Sequence, residues 1–89
     1  MKHFTTSKYW RHYHSLTREI QLLADKNFQL LKKDPRHPSL HFKQIGRFYS
    51  VRVGLDHRAL GVEPSDKNGV LWFWIGDHNQ YEKLLKTSQ

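Results

Sequence analysis

An α+β domain is the fold predicted by this 89-residue sequence, on three observations. Two helical stripes of apolar residues come first, between residues 7 and 33. Four β-type runs follow between residues 40 and 75, divided by turns at Gly46-Arg47, Gly54–Asp56 and the polar segment 63–69. A capped helical stripe then closes the sequence. Helices grouped ahead of an antiparallel meander imply α+β rather than an alternating α/β layout.

Taken in order, His3 to Thr5 is either a short first strand or a lead-in. Thr5, Thr6 and Ser7 are all good helix caps, and Trp10, Tyr13 and Leu16 then recur at helical spacing, which predicts a helix from about Ser7 to Ser15. Thr17 caps a second helix, with Glu19 near its positive end. Ile20, Leu23, Ala24, Phe28 and Leu31 form its apolar stripe, and Pro35 ends it by disfavouring helix at Asp34. Leu40 to Ile45 is the first strand of the meander. Phe48 to Val53 alternates, so Tyr49, Val51 and Val53 share the core face, and Phe48, Ser50 and Arg52 share the other. His57 to Val62 returns. Val70 to Ile75 is apolar on both faces, as a strand covered from both sides should be. Asp77 and Gln80 have capping-box spacing, and Tyr81, Leu84 and Leu85 follow at helical spacing, giving a short helix from His78 to about Lys86.

Composition narrows the function. There is no internal repeat and no Gly/Ser linker, so residues 1–89 form one domain. Absence of Cys excludes disulfides and thiolate chemistry and suits a cytoplasmic protein. No run has the length of a signal peptide or approaches the ~20 apolar residues that span a bilayer, so no membrane partner is expected. Fifteen Lys and Arg against eight acids leave a formal charge of +7, before any of seven His is protonated. Such an excess favours polyanionic partners: RNA, DNA, the ribosome or an acidic protein segment.

The histidines do not read as metal ligands. His12 and His14 fall on different helix faces, and His37 and His41 flank a proline turn with no third ligand implied. Asp56 and Asp77 read as turn and cap residues. Neither a metal nor a small-molecule cofactor is expected. The stretch from Tyr49 to Tyr81 concentrates the remaining chemistry. Arg52, His57, Arg58, His78 and Tyr81 lie along strands or at their ends, where they either decorate a sheet or grip and cleave a phosphodiester.

Three segments carry a resemblance across nearly the whole sequence: KKDPRHPSLHFKQIG (32–46), YSVRVGLDHRALGV (49–62) and VLWFWIGDHNQYEKLL (70–85). Together they resemble the RelE/ParE superfamily of toxins from type II toxin–antitoxin systems. The resemblance implies two N-terminal helices on one face of a curved antiparallel sheet of about four strands, a basic concavity on the other face, and a short C-terminal helix. It implies a cognate antitoxin as partner. For the RelE-like branch it implies metal-independent cleavage of mRNA on the ribosome, and for the ParE-like branch inhibition of DNA gyrase; a third outcome is a toxin-derived binding module without chemistry.

In the RelE-like reading Arg58 grips the scissile phosphate, a task suited to a planar guanidinium that stays charged. Arg52 stands where the family has a catalytic lysine. Ser50 stands at a second lysine position and cannot replace it. His78 is the general acid or base, Tyr81 orients the nucleotide, and Lys43 and His57 contact the RNA.

Overall fold

The threonine caps behave as their chemistry requires. Thr6 accepts from the Tyr9 amide at 3.0 Å and opens helix α1 (Ser7–His14); Thr17 accepts from the Ile20 amide at 3.3 Å and opens α2 (Arg18–Lys33). The structure, a computed structural model, describes residues 1–65 and 68–87. The predicted 63–69 loop therefore lies partly outside the described residues. Strand β1 (Lys2–Thr5) precedes α1. After α2 come a 3-10 turn (Pro38–Leu40), β2 (Lys43–Ile45), β3 (Phe48–Val53), β4 (His57–Val62), β5 (Gly69–Asp77) and α3 (His78–Thr87).

The sheet order is β1-β5-β4-β3-β2. Strands β2 to β5 form the expected antiparallel meander, and β1 pairs in parallel with β5 from Lys2↔Gly69 to Thr5↔Trp72. The sheet thus has five strands and is mixed, where about four antiparallel strands were expected. Strand β2 is also shorter than predicted. Pro38 starts a 3-10 turn capped by the His37 ring, Leu40 is fully buried within it, and His41 ends it in the left-handed region with φ 46°. Extended pairing resumes only at Lys43.

Alternation sorts β3 as expected. Tyr49, Val51 and Val53 join Ala59, Val70, Trp72 and Ile75 against Tyr13, Ala24 and Leu31 of the helical hairpin. Ser50 faces the other way, towards α3. A β-bulge complicates β5: Gly61 pairs with Trp72 while Leu60 pairs with Trp74, so Phe73 is the extra residue. Simple alternation would put both tryptophans on one face. The bulge instead sends Trp72 into the hairpin core and Trp74 into a second cluster with Leu60 and Tyr81, flanked by Phe48, Leu84 and Leu85. Each sheet face therefore has its own apolar seal, α1 and α2 on one side and α3 on the other.

Candidate functional site

Register places Arg52 directly opposite Arg58 across β3 and β4, on the face shared with Ser50. Two like charges opposite one another weaken a sheet unless something separates or neutralises them. Here the guanidinium groups are drawn apart. Arg58 Nη1 donates to the His57 carbonyl at 2.8 Å, with its Cζ 5.9 Å from the centroid of the Tyr81 ring. Arg52 Nη1 donates to His41 Nε2 at 3.2 Å, beyond the point where β2 has ended. Arginine has no acceptor, so the His41 lone pair must lie on Nε2 in this contact. Among the described residues neither arginine has a carboxylate within ion-pair distance. Arg52 Nε is also buried with no partner among the described residues, so this face holds two positive charges with donors to spare. Arg52 also borders a shallow pocket of about 590 Å³ with Leu23, Lys26, Leu30, His37 and Leu55.

The neighbouring strand provides a floor. Gly76 pairs with Arg58, and a Cβ on Gly76 would sit 2.5 Å from Trp74 Cζ2 and 2.9 Å from Gln80 Oε1. Glycine there lets the indole lie across the strand beside the arginine.

The start of α3 is tied down from two sides. Asp77 Oδ1 accepts from the Gln80 amide at 2.8 Å, and the His78 amide donates to the Asp56 carbonyl at 2.7 Å, joining the helix to the β3–β4 turn. His78 Nε2 lies 3.2 Å from Glu82 Oε1, and Nδ1 is buried with no partner among the described residues. The His78 ring stacks on Tyr81, centroids 5.7 Å apart.

Tyr81 is only 4 % exposed, and its hydroxyl bonds Ser50 Oγ, itself 1 % exposed, at 2.9 Å. In this arrangement Tyr81 clamps α3 to the sheet instead of presenting a ring to a nucleotide. The same contact accounts for Ser50: a lysine at that point would drive an ammonium into the space the phenol fills. Lys43, exposed on the edge strand, pairs with Ser50 and so shares the arginine face. His57 does not. It pairs with Val53 of the hairpin core, so its ring is on the opposite face, where it borders a groove with His12, Ile20 and Ile75. Arg52, Arg58, His78, Tyr81 and Lys43 are thus gathered on one side, and His57 contributes its carbonyl.

Two further residues join this group. His41 reads as a turn histidine until the β2–β3 register is known; extending Lys43↔Ser50 by two residues along each strand points position 41 towards 52. Glu82 reads as a solvated helix charge until its spacing of four from His78 is considered.

No family model matches the sequence, and no curated protein does. Solved structures do match its shape. The isolated E. coli RelE toxin superposes with a TM-score of 0.60 at 12 % identity, over 98 % of this chain and 97 % of that one. The toxin fold also appears in the RelB–RelE antitoxin–toxin complex from Methanococcus jannaschii, with a TM-score of 0.67 at 10 % identity over 91 % and 96 % of the two chains. A copper-bound mutant toxin from Helicobacter pylori gives 0.59 at 13 % identity, over 90 % and 97 %. Similarity of this extent over near-complete chains establishes architecture: the protein has the RelE toxin fold.

Proposed function

We propose that this protein is the toxin of a toxin–antitoxin pair and acts as an endoribonuclease on mRNA held by the ribosome, without a metal ion. One observation carries the reading: Arg52 and Arg58 are cross-strand partners on one face of the sheet, and neither has a carboxylate partner among the described residues. A phosphodiester entering between them would supply the missing negative charge and accept paired hydrogen bonds. As the 2′-hydroxyl attacks, charge grows on the phosphate oxygens, where guanidinium groups engaged with the phosphate act most strongly. His78, whose Nε2 lies 3.2 Å from Glu82 Oε1 in the free protein, turns from that carboxylate to the substrate and is the proton donor to the departing 5′-oxygen. Tyr81 positions Arg58 and the helix that carries His78. Lys43 tracks the RNA backbone beside them.

The antitoxin is the natural cover for such a face. A toxin of this fold is known in complex with its RelB antitoxin, and an acidic or extended segment laid over Arg52 and Arg58 would silence this chain. Because Tyr81 is buried and Ser50 occupies a lysine position, a gyrase-directed toxin of the ParE kind is the second reading.

Induction in a host without the antitoxin separates the two. Codon-positioned cuts in primer extension, lost in a folded Arg58→Ala/His78→Ala variant together with growth inhibition, support the nuclease. An intact transcriptome with a DNA-damage response supports the gyrase reading. Full toxicity of the folded double variant would refute the site.

A further inference from the structure

We propose that His41 is the general base of this site, a role that rests on the nuclease reading above. The geometry of the turn points to it. Among the described residues His41 is the one non-glycine residue with positive φ, at 46°. It ends the 3-10 turn, with its amide directed to the Pro38 carbonyl at 3.4 Å. Glycine or asparagine serves such a turn with less strain, so the turn by itself gives no reason for an imidazole. The backbone conformation projects the ring outwards, and its Nε2 lone pair meets Arg52 Nη1 at 3.2 Å. Strained backbone that holds a chemically active side chain against a charged partner is characteristic of reactive sites.

The contact also implies a sequence of events. In the free protein Arg52 occupies the His41 lone pair. A phosphodiester competes for the guanidinium with a full negative charge, and Arg52 turns to it. Nε2 is thereby released beside the bound phosphate, where the ribose 2′-hydroxyl of the same linkage lies. His41 then takes the 2′-hydroxyl proton while O2′ bonds to phosphorus. The P–O5′ bond breaks, its electron pair leaves with O5′, and O5′ takes a proton from His78. The products are a 2′,3′-cyclic phosphate and a 5′-hydroxyl. One histidine has gained the proton that the other lost, and exchange with solvent resets both.

The test compares full-length wild-type protein with His41→Asn and His41→Gly on mRNA-programmed ribosomes. Both replacements tolerate positive φ, and asparagine still offers Arg52 an acceptor, yet neither can take a proton. The expected result is a fall in kcat of about 100-fold or more with KM unchanged within about threefold. Thermal stability should be equal to or above that of the wild type, and added imidazole should restore part of the His41→Gly rate. If the wild type cuts and both variants cut at its rate, His41 is a turn residue and the proposal fails while the nuclease reading stands. If the wild type itself does not cut, the nuclease reading fails and the base assignment falls with it.

Discussion

The hydroxyl pair between Ser50 and Tyr81 gives the sharpest test of how α3 is held on the arginine face. Both residues are almost fully buried, at 1 % and 4 % exposure, and their oxygens are 2.9 Å apart. Tyr81→Phe deletes one hydroxyl and leaves that of Ser50 without its partner; Ser50→Ala does the converse. Each single change should cost about 1–3 kcal/mol, the penalty for a stranded buried polar group. The double variant strands nothing, so its loss should fall short of the sum of the two by about 1 kcal/mol or more. In a domain of this size each kcal/mol lowers Tm by roughly 4–8 °C. Urea and thermal melts of the four proteins give the coupling energy directly. Two small, additive losses would show that the pair does not fasten α3, and the account of why serine stands at position 50 would be wrong.

Other outcomes follow from the same contacts. Gly76→Ala would press a methyl group onto the Trp74 indole and should cost about 1–3 kcal/mol with a change in near-UV circular dichroism, because overpacked rings must leave their preferred rotamers. The Tyr9 phenol is pushed up to about 12, first by burial and then by Asp25 and Tyr13. A raised value means that the folded state keeps the proton longer than the unfolded one. Its contribution is therefore complete below pH 10 and lost as the pH climbs from 10 towards 12. That loss is on the order of 2–3 kcal/mol, and Tyr9→Phe should remove it from the alkaline denaturation profile. His3 moves the other way. Burial lowers it, with the amino terminus and Lys32 adding, and its Nδ1 must stay bare to accept from Trp72 Nε1 at 3.1 Å. Stability should accordingly fall as the pH drops below the ordinary histidine value of 6.5, and His3→Gln, which keeps an acceptor, should flatten that slope in acid titrations.

Much of this architecture was legible because it depends on local chemistry. Thr17 and Pro35 bound α2, and the two-residue period of β3 assigns Val51 and Arg52 to opposite faces. What escaped depends on pairing between distant segments. Lys2–Thr5 has no alternation to mark it and is a strand only because β5 offers an edge. The run Trp72-Phe73-Trp74 gives no sign that a bulge sends its two indoles to opposite cores. The site divides in the same way. Parity brought Arg52 to the correct face, and the capping box brought His78 to the helix start. His57 went to the other face because its partner is Val53, and Tyr81 went under α3 because Ser50 lies beneath it. His41 depends on where β2 stops, which a proline turn decides.

In the proposed reaction Arg52 and Arg58, which have no carboxylate partner among the described residues, hold a scissile phosphodiester while its own 2′-hydroxyl attacks. Analysis of the end groups left on ribosome-bound mRNA tests it most directly. The expected ends are a 2′,3′-cyclic phosphate facing a 5′-hydroxyl, with no cut when the nucleotide before the scissile bond lacks its 2′-hydroxyl. A 3′-hydroxyl facing a 5′-phosphate, or cleavage of the 2′-deoxy substrate at the normal rate, would contradict it.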